Sequence, residues 1–181
     1  AGTADDGIFV STDGGMNWVA WNFGLLDYHI FALAFSPNFN RDGTLYAGTE
    51  SGIFRSHNNG RSWNELPFPM TAAPVLSLAA SSQYLFAGTE NNGVFISEDG
   101  GASWQQGDNQ KFDPAANALR ASDTRPGDVW LLLEDSLLSS ADQGQTWEHR
   151  YSFPADQSAM AFALVGKSER GPTAIEAIKD N

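Results

Sequence analysis

Residues 97–104 read SEDGGASW, and three other stretches of the chain repeat this pattern closely. The other copies are STDGGMNW at 11–18, SHNNGRSW at 56–63 and SADQGQTW at 140–147. Their final residues, Trp18, Trp63, Trp104 and Trp147, are separated by 45, 41 and 43 residues. A nearly constant period of this length is typical of a protein built from one repeated supersecondary unit.

Each copy has the composition of a tight turn between two strands. A short apolar run precedes the turn, as in GVFI at 93–96, and a Trp opens the next strand. An Asp or Asn side chain bonds the amides of its own turn, and Gly supplies the positive φ that a hairpin requires. We therefore assign structural roles in the hairpins to eight residues: Asp13, Asn58, Asp99, Asp142, Trp18, Trp63, Trp104 and Trp147.

Alternating apolar and polar residues predict four short strands in each complete repeat. The predicted strands are 31–36, 44–49, 52–56 and 62–67 in the first repeat, 75–80, 84–89, 93–97 and 103–106 in the second, and 118–122, 129–134, 136–140 and 146–151 in the third. The Asn- and Gly-containing segment 38–43 predicts a β-turn between two strands rather than a calcium loop.

The repeated phrase resembles the signature of the Asp-box, or BNR, β-propellers, which is Ser-x-Asp-x-Gly-x-Thr/Ser-Trp. All four copies match at the Ser, the second Gly and the Trp, while Asn58 replaces the Asp in the second box and Asn17 replaces the Thr/Ser in the first. The resemblance covers nearly the whole chain and implies an all-β propeller of four-stranded antiparallel blades. It does not define one function, since the family includes sialidases, other glycoside hydrolases, sorting receptors and photosystem assembly factors.

The repeats predict one propeller domain over residues 1–181 with about four blades. The blade units are approximately 30–68, 74–107 and 117–152, together with a split blade made from 158–181 and 1–27. Residues 1–3 align with 47–49 and 87–89, so the chain is expected to start near the end of a second strand. Residues 173–179 have two interpretations, a second strand or a short helix opened by a capping box. If these residues form a strand, the two ends would together close a four-bladed ring. The alternative is that the chain is part of the larger ring of six to eight blades that is more common in the family.

Composition limits the classes of partner. The chain has 10 Lys plus Arg against 22 Asp plus Glu, a formal net charge of −12, which repels nucleic acid and anionic lipid surfaces. It contains no Cys, and no apolar run approaches the roughly 20 residues that span a bilayer. We therefore expect neither nucleic-acid binding nor direct membrane insertion, whereas a protein partner or a glycan is compatible with the charge.

No catalytic or cofactor site is predicted. A glycoside hydrolase needs two suitably spaced carboxylates, and acidic residues are too numerous here to identify such a pair. By resemblance a sialidase would also need an arginine cluster and an Arg-Ile-Pro phrase, which the chain lacks. His29, His57 and His149 are far apart in the sequence, without the spacing of paired metal ligands.

Residues that break the repeat are the candidates for binding, because residues common to every copy are explained by the architecture. They lie in the connections between blades: Asp27, Tyr28, His29, Phe68, Met70, Lys111, Phe112 and Asp113. Glu50, Glu90 and Glu134 recur at the end of each second strand, where they either form an acidic ring around a channel mouth or are simply solvated.

Two functional classes follow. We prefer a non-catalytic propeller that binds a protein partner or acts as an assembly scaffold, because every repeated motif has a structural explanation. The alternative is a carbohydrate-active propeller, either a glycoside hydrolase or a glycan-binding module of a larger enzyme. By family resemblance, the expected location is extracytoplasmic: secreted, periplasmic or lumenal.

Overall fold

The computed structural model describes residues 1–69, 73–107, 115–122, 125–154, 156, 159–165 and 174–179. Within these ranges the strands form three four-stranded antiparallel sheets and two two-stranded sheets. In each four-stranded sheet the spatial order of the strands follows the chain order, as in a propeller blade. The all-β propeller architecture that the repeats predict is therefore confirmed.

The first three strands of each blade agree with the predicted bounds to within two residues, whereas the fourth strands of the first two blades are only two residues long. The N-terminal hairpin consists of β1 (Phe9–Val10) and β2 (Val19–Ala20). The first blade consists of β3 (Ile30–Phe35), β4 (Leu45–Thr49), β5 (Ile53–Ser56) and β6 (Asn64–Glu65). The second blade consists of β7 (Val75–Ala80), β8 (Leu85–Thr89), β9 (Val94–Ser97) and β10 (Gln105–Gln106). The third blade consists of β11 (Ala118–Ala121), β12 (Val129–Leu132), β13 (Ser136–Ser140) and β14 (Glu148–Ser152). The C-terminal pair consists of β15 (Ala159–Val165) and β16 (Ala174–Lys179).

The connection between β3 and β4 differs from the predicted β-turn. It contains a single turn of helix, α1 (Phe39–Asp42), which ends at Gly43 with φ of 58°. The Gly43 amide donates a hydrogen bond to the Phe39 carbonyl at 2.8 Å, and the Asp42 carboxylate accepts one from the Thr44 amide. Asp42 therefore fixes the exit from the helix, a role that the composition of the segment did not reveal.

The N-terminal residues behave as the repeat alignment predicts. Gly2 forms an antiparallel bridge with Ile8, and the Phe9 amide donates to the Ala1 carbonyl at 2.8 Å. Gly48 pairs with Ile53 in the first blade in the same way. Residues 1–3 therefore occupy the second-strand position beside β1.

The C-terminal pair and the N-terminal hairpin are separate two-stranded sheets. Ala174–Lys179 is a strand, which decides between the two interpretations of that segment. However, β16 does not pair with β1, whose neighbouring position is taken by residues 1–3. The two pairs are thus separate sheets in the described parts of the chain, and the split blade made from the two ends stays a prediction.

The hydrophobic core lies between consecutive blades. The first strands of successive blades are neighbours, since β3 lies against β7, β7 against β11, and β11 against β15. Phe68, which follows the first blade, packs with Phe95 of the second blade, and Phe86 of the second blade belongs to one cluster with Leu131 of the third. Each blade therefore depends on the next one to bury its apolar side chains.

Candidate functional site

The antiparallel blades have two distinct ends. At one end lie the connections between blades and the turns that join second to third strands; we call this end the loop face. At the other end lie the Asp boxes and the turns that join first to second strands; we call this end the box face. The sequence-based candidates for binding belong to the loop face, where loops are carried on a rigid scaffold.

Asp27 fixes the connection that leads into the first blade. One carboxylate oxygen accepts a hydrogen bond from the His29 amide at 3.0 Å, and the other accepts one from the Ser51 amide at 2.7 Å. Partial burial raises the pKa of Asp27, but these hydrogen bonds outweigh it and hold the pKa below its usual value. The carboxylate therefore ties two neighbouring loops together in its ionised form.

His29 lies among three carboxylates on the loop face. Its ring nitrogens are 3.4 Å from Asp5, 3.4 Å from Asp27 and 3.3 Å from Glu50. The His29 side chain is half exposed, so each ion pair formed on protonation is weak. The cluster nevertheless brings Asp27, His29 and Glu50 together from two loops, as a binding surface requires.

Two large apolar side chains flank the Asp27 anchor and point to solvent. Leu26 is 77% exposed and Tyr28 is 45% exposed. Together with His29 and Glu50 they form what we call the loop-face patch. Because Asp27 already orders the backbone beneath them, a partner that contacts Leu26 and Tyr28 would lose little loop entropy.

The other predicted binding residues have different positions. Phe68 is 7% exposed and packs edge-to-face on Trp104 at 5.1 Å, so it is a core residue rather than part of a loop surface. Glu90 and Glu134 are exposed at the ends of their strands, as is Glu50, while their arrangement as an acidic ring stays a prediction. The remaining candidates lie outside the described residues: Met70, Lys111, Phe112 and Asp113.

The Asp-box carboxylates have the structural contacts expected of turn residues. In the third box, Asp99 accepts hydrogen bonds from the Ser103 hydroxyl and amide and from the Ser97 hydroxyl, which lower its pKa to about 2. Asp13 has the same environment, led by the Asn17 amide, and a pKa of about 2. Hydrogen bonds led by the Thr146 hydroxyl lower the pKa of Asp142. Asn58 keeps the same pattern with its amide oxygen.

The four box tryptophans differ in burial. Trp63 is 2% exposed, and its indole donates to the Trp21 carbonyl of the preceding unit at 2.9 Å. Trp104 and Trp147 are partly buried against the clusters between blades. Trp18 is 50% exposed and donates only within its own turn, to the Gly15 carbonyl. Trp63, Trp104 and Trp147 thus contribute to contacts with the preceding unit, whereas Trp18 is half exposed.

The structure also reveals a polar groove on the box face that the sequence did not predict. It lies between the first and second blades and has a volume of about 290 Å³. Six of its lining residues carry most of its chemistry: Asp42, Tyr46, Arg55, His57, Tyr84 and Glu98. We call it the box-face groove. A second polar groove, about 430 Å³ in volume, occupies the corresponding side of the third blade and is lined by Trp130, Ser139 and Arg150.

The side chains of the box-face groove are held in place by neighbouring groups. Arg55 donates from Nη1 to the Gly100 carbonyl of the second blade at 2.8 Å. The Thr44 hydroxyl lies 3.1 Å from Nδ1 of His57, and burial together with the charge of Arg55 lowers the pKa of His57. Burial raises the pKa of Tyr46. Both shifts in pKa favour the neutral forms of His57 and Tyr46.

The signal for this groove was present in the repeat alignment. The position of Arg55 is occupied by Ile96 in the second blade and by Ser139 in the third. Arg55 therefore breaks the repeat, as the candidate loop residues do. Arg55 lies within strand β5, whereas those candidate residues lie in the connections between blades.

The described residues contain no group of three or more His, Asp and Glu side chains that could hold a metal ion. Among them there is also no helix with the length and apolar character needed to cross a membrane.

Comparison with known proteins supports the fold. A family model for the BNR/Asp-box repeat matches residues 9–20, which include the first box. No curated protein matches the sequence. The resemblance to Asp-box β-propellers that the four boxes indicate is thus confirmed by an independent family model.

Similar solved structures include enzymes and proteins of other kinds. An ancestral GH74 enzyme is 21% identical with a TM-score of 0.72, over 90% of this chain and 24% of that one. The extracellular domain of BT4673 from B. thetaiotaomicron is 16% identical with a TM-score of 0.68, over 91% of this chain and 23% of that one. YCF48 bound to D1 peptide is 16% identical with a TM-score of 0.56, over 66% of this chain and 38% of that one. The chain thus spans about a quarter to two fifths of these proteins, and the likeness shows the fold alone.

Proposed function

We propose that this chain of Asp-box blades is a non-catalytic propeller module that binds a protein partner through its loop face. The observation that carries the proposal is the loop-face patch, in which Leu26 and Tyr28 are exposed on a connection that Asp27 anchors. Exposed aromatic and aliphatic side chains on a preordered loop are typical of the central contacts of protein interfaces.

Charge indicates what kind of partner fits the patch. Asp5 and Glu50 surround His29, and the whole chain carries a formal net charge of −12. A partner segment that combines an apolar side chain with Lys or Arg would pack on Leu26 and Tyr28 and meet carboxylates at the rim. YCF48, a propeller of similar fold, is described in complex with a D1 peptide, which supports a peptide segment as the ligand.

Site-specific photo-cross-linking tests the proposal. A photoreactive amino acid at position 28 should capture a partner in extracts of the source, whereas the same group at position 151 should not. Tyr151 is a matched control because it is also a half-exposed tyrosine, 54% against 45%. The captured protein, once purified, should bind the native chain and Tyr151→Ala equally, and Leu26→Ser/Tyr28→Ala at least about tenfold more weakly. Equal binding to all three would refute the loop-face patch as the interface.

A carbohydrate-active function is the second candidate. The observation that favours it is the box-face groove, which combines Tyr46 and Tyr84 with Arg55 and Glu98. GH74 enzymes are among the proteins of similar fold, and this supports glycans as one class of ligand to test. Retention on immobilised polysaccharides, together with an assay for released reducing ends, distinguishes binding from hydrolysis.

We also propose an extracytoplasmic location. The likeness of the fold to an extracellular domain supports it. Cell fractionation with an antibody against the chain tests it, and recovery only in the cytoplasmic fraction would contradict it.

A further inference from the structure

We propose that the box-face groove between the first and second blades binds one neutral sugar residue of a glycan. This site is independent of the protein-binding loop face, since it lies at the opposite end of the blades. It gives the second candidate function a defined location and ligand class. Three observations support the proposal: Tyr46 and Arg55 break the repeat, three side chains of the groove are preordered, and the lining carries charges of both signs.

The polar groups of the groove are not required by the propeller architecture. Phe86 and Ile96 occupy the positions of Tyr46 and Arg55 in the second blade, where both are almost fully buried. Ile96 lies near Gly144 in the box of the third blade, whereas Arg55 reaches the Gly100 carbonyl in the box of the second blade. An apolar pair therefore occupies these two positions in the second blade, so the propeller architecture does not require the polar pair that lines the groove in the first blade.

Three of the side chains that line the groove are held before any ligand arrives. Tyr46 is 7% exposed, and the guanidinium of Arg55 is fixed across the blades by the Gly100 carbonyl. Asp42 is fixed by the Ser36 hydroxyl at 2.6 Å and by the Thr44 amide at 2.8 Å. Prior ordering of this kind reduces the entropy lost on binding, which matters most for a small ligand.

Size and charge define the ligand class. Pockets for drug-sized molecules usually measure about 300 to 1,000 Å³, so a groove of about 290 Å³ suits a smaller molecule, such as one sugar ring. Arg55 would repel a cation, whereas Glu98 and Asp42 would repel a carboxylate or phosphate. A neutral ring with several hydroxyls fits this combination, because hydroxyls accept from Arg55 and donate to Glu98. Tyr84 adds a half-buried aromatic ring to the wall.

Saturation-transfer NMR on the native chain tests the proposal. The probes are neutral oligosaccharides, namely cellotetraose, xylotetraose, mannotetraose and laminaritetraose, with glucuronic acid and glucosamine as charged comparisons. We expect transfer to at least one neutral probe with a Kd of about 1 mM, as for a ligand of about a dozen heavy atoms. No saturation transfer to any neutral probe at about tenfold this concentration, or stronger binding of a charged probe, would overturn the proposal.

The repeats supply variants that keep the fold. Arg55→Ile, Tyr46→Phe and Glu98→Ala each install the residue found at the aligned position of another blade. We expect Arg55→Ile and Glu98→Ala to weaken binding at least about tenfold, because each removes a charged hydrogen-bonding group. The melting temperature should change little, and Glu65→Ala, which removes an exposed carboxylate outside the groove, should bind sugar as the native chain does.

The same assay separates this proposal from the protein-binding function. Leu26→Ser/Tyr28→Ala should lose the protein partner and keep the sugar, while Arg55→Ile should do the reverse. Unchanged sugar binding in both Arg55→Ile and Glu98→Ala would overturn the assignment of the groove, whatever the fate of the loop-face patch.

Discussion

Replacing Trp63 and Trp18 separately with Ala tests how the boxes stabilise the propeller. The two tryptophans occupy the same position in the repeat, yet Trp63 is 2% exposed and Trp18 is 50% exposed. A buried tryptophan removes about 200 Å² from water, and about 25 cal/mol per Å² then gives about 5 kcal/mol. The same arithmetic gives about half as much for Trp18. Trp63→Ala also leaves the Trp21 carbonyl without its indole donor.

Measured large-to-small substitutions of aromatic residues cost about 3 to 5 kcal/mol. We therefore expect Trp63→Ala to lower the free energy of unfolding by about 3 to 5 kcal/mol and Trp18→Ala by about 1 to 2 kcal/mol. Urea unfolding followed by far-UV circular dichroism measures both values, with Trp63→Phe as a control that keeps an aromatic ring. Losses for the two variants within about 0.5 kcal/mol of each other would refute the idea that the preceding unit determines the contribution of each tryptophan.

Three further predictions follow from individual contacts. Because hydrogen bonds lower the pKa of Asp99 to about 2, its contribution to stability should be complete above its ordinary value near 3.8 and disappear as the pH falls toward 2. Asp99→Asn should therefore reduce the loss of stability between pH 4 and pH 2 in urea titrations, and an unchanged pH profile would argue against the bonded carboxylate. Gly24→Ala should lower the melting temperature far more than Gly14→Ala: both glycines have positive φ, but only at Gly24 would a Cβ collide with the backbone carbonyl of the next tryptophan. Asp27→Ala should accelerate hydrogen exchange at the Ser51 amide, which loses its acceptor. Exchange as slow as in the native chain would mean that another group orders this loop.

Most of the fold was predictable because it is encoded locally. The short strand segment Ile53, Phe54 and Arg55 is followed by a box whose side chains bond its own backbone amides. Together they specify a hairpin within about a dozen residues. The strands β7 and β13 have their predicted bounds. The helical turn α1 was not predicted, because a short Asn- and Asp-rich segment between strands is compatible with either a β-turn or one helical turn.

The candidate sites were predictable only in part. The sequence identified Asp27, Tyr28, His29 and Glu50 as unusual or recurrent, and the structure brings them together on one face. The sequence could not reveal that Leu26 is exposed while Phe68 is buried, since both are apolar residues in connections between blades. Their environments depend on which side chain of the neighbouring blade lies opposite.

The amino-acid sequence by itself determined the repeat, the four boxes and the antiparallel blades, because turn chemistry and strand alternation act over a few residues. Tertiary structure alone decided which box tryptophan is buried and where the grooves open. Trp63 meets Trp21 from 42 residues away, and Arg55 meets Gly100 from 45 residues away. Contacts at such separations depend on how successive blades are stacked. A single side chain then decides whether the space between two blades is filled, as Ile96 fills it, or lined by a polar group, as Arg55 lines it.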